Sequence, residues 1–249
     1  AQQGIQLSAE DVLTNIDKID DIVELSEVYK NDDGKLMNVY LNPDKAKDLN
    51  DLVGRYSENA DTLVDNLSSL DDFLNLEQDF QGDATKMATV FANPDKADDL
   101  KRLNDQFSDQ GDTFLANLDK LEDFEELATD FGGDATKMAT VFANPDKADD
   151  LKRLNDQFSD QGDTFLANLD KLDDFEELAT DFGGDATKMA TVFANPDKAD
   201  DLKRLNDQFS DQGDTFLANL DKLEDFEELA TDFGGDATKM ATVFANPDK

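Results

Sequence analysis

The chain repeats itself every 51 residues, and a period of that length constrains the fold before any single residue is considered. The segment NPDKADDLKRLNDQFSDQGDTFLANLDKLEDFEELATDFGGDATKMATVFA begins at Asn93 and starts again at Asn144 and Asn195. The first two of these copies differ only where Glu122 is matched by Asp173. A more divergent copy starts at Asn42. A partial one runs from Asp11 to Leu41, where NIDKIDDIVEL matches NLDKLEDFEEL. The chain thus reads as a partial repeat over 1–41, a divergent repeat over 42–92, and repeats over 93–143, 144–194 and 195–245. Residues 246–249 open a further copy, as in a piece cut from a longer array.

Within a copy the signals are helical. Every proline sits in Asn-Pro-Asp-Lys, as at Asn93 to Lys96. Asn93 can cap a helix, Pro94 suits the first helical position and Asp95 faces the positive end of the dipole. Leu100, Leu103, Phe107, Phe114, Leu118 and Leu121 then recur at spacings of three, four or seven, one apolar stripe. Gly111 interrupts it, but the divergent copy has Ala60 there, so the position does not need a positive φ. The stripe predicts one continuous helix from Pro94 to Ala116.

Asn117 is the next boundary, because asparagine tolerates the left-handed conformation that ends helices. Asp119 then caps, and Glu122 completes a capping box. A second helix is expected over Lys120–Phe131, burying Leu121, Phe124, Leu127, Ala128 and Phe131. Gly133 ends it; its counterparts are Gly82 and Asn31, residue types that accept a positive φ. Asp134 caps a third, short helix over Ala135–Ala143, with Met138, Ala139, Val141 and Phe142 inward. No alternating run or hairpin dipeptide marks a strand.

The expected fold is therefore all-α. It consists of tandem 51-residue three-helix repeats, stacked as an extended α-solenoid or as a linear array of helical bundles. A short third helix is marginal alone, and a 51-residue unit buries little surface by itself. Stacking covers the faces one copy leaves wet. The near-absence of linker residues favours continuous stacking, so the first partners of each repeat are its neighbours in the same chain. Partial copies at both ends add head-to-tail self-association as an expectation.

Charge narrows the function. Each consensus copy carries thirteen Asp or Glu against five Lys or Arg, and the whole chain has a net charge of −37. Such a surface repels nucleic acid, whose phosphates need basic partners, and anionic membranes. No run approaches the ~20 apolar residues of a membrane span. The chain has no Cys and no His, which excludes disulfides and Ser–His or Cys–His nucleophile pairs. We expect no enzyme and no required cofactor.

Calcium is the one ion the composition invites, because it prefers clustered carboxylates. The candidate ligands are Asp109 with Asp112, and Asp130 with Asp134 on either side of Gly132-Gly133, with their equivalents in other copies. Asn31 to Lys35, NDDGK, shares residue types with a calcium loop but lacks the full pattern and its distal Glu. The plainer reading makes these acids caps and solvated faces. Lys101-Arg102 and its copies read as surface ion pairs.

Near-identity of adjacent copies is the remaining clue. Binding solenoids vary their surfaces from repeat to repeat, whereas uniform copies suit a stalk, spacer or fibre. The expected role is a structural segment of a long bacterial cell-surface or extracellular protein, such as an adhesin or matrix filament. Two alternatives are a calcium-responsive self-assembling array and a scaffold that binds a protein or peptide.

Overall fold

The computed structural model describes residues 18–247, so Asn15, Asp17 and the start of the partial repeat lie outside the described residues. The chain divides into two compact units, 1–122 and 123–249. In the first, the helices are α1 (Ile19–Val28), α2 (Asp33–Leu41), α3 (Ala46–Arg55), α4 (Ala60–Asp65), α5 (Leu70–Asp79), α6 (Ala84–Ala92), α7 (Ala97–Gln106) and α8 (Gly111–Ala116). Helix α9 (Leu121–Asp130) begins at the boundary. The second unit continues with α10 (Ala135–Phe142), α11 (Ala148–Gln157), α12 (Gly162–Ala167), α13 (Leu172–Asp181) and α14 (Ala186–Phe193). It ends with α15 (Ala199–Gln208), α16 (Gly213–Ala218), α17 (Leu223–Asp232) and α18 (Ala237–Phe244). Among the described residues there is no strand.

Like packs on like. In the first unit α1, α3, α5 and α7 stack in one layer and α2, α4, α6 and α8 in another, and each helix of the first layer also packs on the helix that follows it. In the second unit α11, α13, α15 and α17 form the first layer, and α10 packs on α12 and α14 on α16 in the other. Each unit is a stack of helix pairs, a two-layer α-solenoid. The all-α repeat array expected from the sequence is the observed fold.

The inside of the repeat differs from expectation, with four helices per copy instead of three. The helix expected to run unbroken from Pro94 to Ala116 stops at Phe107, where φ is −133° and ψ 62°. It restarts through a 3₁₀ turn, Ser108–Gln110, before α8. The next copy shows why. On one straight helix Phe158 and Phe165 would lie roughly 10 Å apart along the axis. Instead both rings reach Phe193, with centroids at 5.1 and 5.0 Å. Phe175 completes the cluster, 5.2 Å from Phe193. The break lets Phe158, Phe165, Phe175 and Phe193 enter one core. Burying each contributes roughly 1.5–3 kcal/mol, more than a few lost helical hydrogen bonds at ~1 kcal/mol each.

With that break in place the 51-residue copy resolves into two related halves. In sequence, Asn93-Pro-Asp-Lys through Phe107 aligns with Asn117-Leu-Asp-Lys through Phe131, with Asp99 matched by Asp123 and Leu103 by Leu127. Each half is a 3₁₀ turn, a ten-residue helix, a phenylalanine at the bend and a shorter helix.

The helix ends depart from expectation as well. Asn93 and Asn117 stand at N-cap positions but their side chains make no capping bond, and neither is left-handed: their φ values are −133° and −134°. Each donates its side-chain amide back four residues, to Thr89 O at 2.9 Å and Thr113 O at 2.8 Å. They satisfy the orphan carbonyls of the helix they end. The capping box expected at Asp119 is not formed; neither Asp119 nor its equivalent Asp170 caps. The chain enters the helix through a 3₁₀ turn instead, with Lys171 N donating to Asn168 O.

Other expectations hold. Gly133 has φ 71° and its N–H reaches back to Ala128 O at 2.7 Å, closing the helix C-terminus. Asn31 does not share that conformation, since among the described residues Gln81 alone is a non-glycine with positive φ. Asp134 caps α10 through Thr136 N and Lys137 N. Leu100, Leu103, Phe107, Phe114 and Leu121 are buried in the first unit, and Phe124, Leu127, Ala128, Met138, Val141 and Phe142 in the second. Leu118 and Phe131 are only half-buried and Ala139 is exposed, pointing off the outer face of its short helix.

Candidate functional site

The four acids expected to hold calcium are occupied by other work or left apart. Asp109 is exposed in the 3₁₀ turn before α8. Asp112, in the first turn of α8, accepts Lys86 Nζ at 2.5 Å. Asp130 Oδ2 accepts Asn155 Nδ2 at 2.8 Å. Asp134 is spent on its cap. Among the described residues no group of three or more acids gathers in a way that could hold a metal ion. The NDDGK stretch is a helix start, with Asp32 Oδ1 accepting Gly34 N and Lys35 N at 3.0 and 3.1 Å.

The basic pairs are likewise internal. Arg153 bridges Glu176 at 2.9 Å and Asp150 at 2.6 Å, joining α11 to α13, and also pairs with Asp149. Arg204 repeats the arrangement with Glu227 and Asp201 at 2.8 and 2.5 Å. Hydrogen bonding to Glu176 and Glu227 pushes both guanidinium pKa values further up. Lys203 is pushed up by Glu177 and Asp207. These cations keep their charge up to strongly alkaline pH.

One arrangement escaped sequence reasoning. Glu77 is the buried carboxylate of the described residues. It accepts Tyr56 Oη at 3.0 Å and pairs with Arg55 at 2.7 Å. Burial, then this hydrogen bond, pushes the Tyr56 phenol up to about 12. The signal was there: the consensus copies have Ala128, Gln106 and Phe107 at the equivalent positions. Glu77 has both oxygens engaged by its own neighbours, so the triad fastens the divergent copy rather than presenting a reactive group.

The feature that recurs is the junction between copies. Asn104 Nδ2 donates to Asp79 Oδ2 at 2.8 Å, Asn155 to Asp130 at 2.8 Å and Asn206 to Asp181 at 2.7 Å. Lys86, Lys137 and Lys188 reach Asp112, Asp163 and Asp214 at 2.5, 2.5 and 2.6 Å. Each of these lysines also lies 5.4 to 5.5 Å from the ring centre of Phe80, Phe131 or Phe182. Against those rings lie Gly111, Gly162 and Gly213. A Cβ at Gly162 would stand 2.7 Å from Phe131 Cε1 and 2.8 Å from Asn155 Oδ1, and the other two repeat this to 0.1 Å. The sequence reading was right that Gly111 does not need a positive φ. Its requirement is close approach.

Comparison with protein-family models, with curated proteins and with solved structures finds no match. Among the described residues no helix is long and apolar enough to cross a membrane.

Proposed function

We propose that the chain is a structural repeat segment, a stalk, spacer or fibre, of a long bacterial cell-surface or extracellular protein such as an adhesin or matrix filament. The observation that carries this reading is the sameness of the consensus junctions. Asp–Asn, Lys–Asp and Phe–Gly contacts recur with the same partners and nearly the same distances from copy to copy. Surface ion pairs recur too: Lys152 meets Glu126 at 2.6 Å and Lys203 meets Glu177 at 2.7 Å. A partner reading successive copies would meet the same chemistry at each. What changes with copy number is length. Strong like charge keeps separate chains apart in solution.

The test is to vary copy number. Chains with two, three, four and five consensus copies should show a maximum dimension in small-angle scattering that rises by a constant increment per copy. A radius that barely grows as copies are added would defeat the proposal.

A further inference from the structure

We infer that the edge formed by α17 and α18 is a selective docking surface for another copy of the repeat. The copy it accepts carries Asn and Gly at the positions of Asn206 and Gly213, and it rejects the Val/Ala type. This rests on the stacked-array reading and goes beyond it, to how an edge recognises the copy that docks on it.

The edge displays what the preceding edge uses. In the copy before, Glu177, Asp181, Phe182 and Lys188 are engaged by Lys203, Asn206, Gly213 and Asp214. The equivalents Glu228, Asp232, Phe233 and Lys239 stand in the same order on α17 and α18. Lys239 keeps its place over the Phe233 ring at 5.6 Å, but its side chain is 59% exposed where that of Lys188 is 35%. Leu229 and Val243 are half-buried where Leu178 and Val192 are fully covered. With Phe233, Thr242 and Asn246 they line an open hollow of about 370 Å³. Its apolar floor and its charged rim match the face that residues 195–218 turn to the previous edge.

Selectivity follows from the junction that, among the described residues, is built otherwise. Between α1–α2 and α3–α4 the quartet is Val28, Tyr29, Val53 and Ala60 in place of Asp, Phe, Asn and Gly. The ion pair is kept, Lys35 to Asp61 at 2.5 Å. An incoming Ala60-type residue on the α17–α18 edge would bring its Cβ to where the Phe ring edge lies 2.7 Å from a Cβ built at Gly213. An incoming Val would leave Asp232 without the amide that Asp181 receives. Either change alone worsens the fit, and both arrive together.

The experiment extends the 249-residue chain by one copy after Ala245 and follows amide hydrogen exchange in α17 and α18. With a consensus copy, exchange should slow by about tenfold or more relative to the unextended chain. With a copy carrying Val and Ala at the Asn206 and Gly213 positions, the gain should shrink to about threefold or less. Adding Asp232→Val and Phe233→Tyr should restore it, which separates rejection from failure of that copy to fold. Equal protection by both copies overturns the selectivity and leaves the array standing. No protection by the consensus copy overturns the docking surface itself, and no restoration by the paired changes overturns the quartet as its cause.

Discussion

The first junction of the chain and the later ones solve the same packing problem with opposite chemistry. Between the partial and divergent copies the contact positions are apolar. Val53 is buried beside Ala60, and Tyr29 Oη donates to Ala60 O at 2.7 Å. Between later copies a buried asparagine faces an aspartate, and glycine lets its carbonyl and a phenyl ring approach the backbone. The four positions change as a set. That is what a coupled contact requires, because a Cβ tolerated beside Val53 collides beside Asn104. Lys–Asp pairing is retained throughout, so the surface bridge is indifferent to which core lies beneath it.

The sharpest way to break this comparison is Gly162→Ala. Helix propensity alone predicts a gain of about 1 kcal/mol for alanine over glycine. The close approach of Phe131 and Asn155 predicts a loss of about 1–3 kcal/mol from overpacking. Thermal unfolding of the full chain should show a lowered midpoint, and adding Asp130→Val, Phe131→Tyr and Asn155→Val should recover most of it. A raised midpoint for the single change would end the argument from coupling.

A smaller effect is expected from Asp130→Ala, which takes the acceptor from the Asn155 amide. Asn155 is 4% exposed, so the unmet donor should cost about 1–2 kcal/mol. In a double-mutant cycle with Asn155→Ala, a coupling near zero would show that the buried amide gains nothing from the carboxylate.

The smallest concerns Asp174, whose pKa is raised first by burial and then by Asp200. A carboxyl with a raised folded-state pKa destabilises the fold at pH values above that pKa, and the penalty vanishes below the unfolded value. Asp174→Asn should therefore stabilise at pH 7 by up to about 0.5 kcal/mol. The difference should disappear below pH ~3.8. At the first junction the equivalent Asp21 accepts Asn50 Nδ2 at 3.1 Å. Asp21→Asn should give no such gain, and matching gains at both sites would erase the distinction.

The period, the helical class and most core positions were legible because they rest on spacing and residue size. The bend at Phe107 was not, because the apolar stripe continues through it at helical intervals. Aligning Phe107 with Phe131 inside one copy would have exposed it, since Phe131 visibly precedes a Gly-Gly turn. The asparagine ends were misread for a related reason. Asparagine offers both a carbonyl suited to N-capping and an amide suited to C-capping, and only the preceding helix decides between them. Asp134 was legible as a cap, and its equivalent Asp83 caps in the same way. The acids' junction roles depend on which residue 25 or 26 positions later comes alongside, which no local pattern states.

The recurrence of the same junction has a mechanical consequence. A chain pulled by its ends parts at its weakest contact, and when contacts are equal none is singled out to fail. Copies then peel off one after another, each releasing roughly 170 Å of contour, the reach of 51 extended residues at ~3.3 Å apiece. A material built this way yields in even steps under tension instead of snapping at one point.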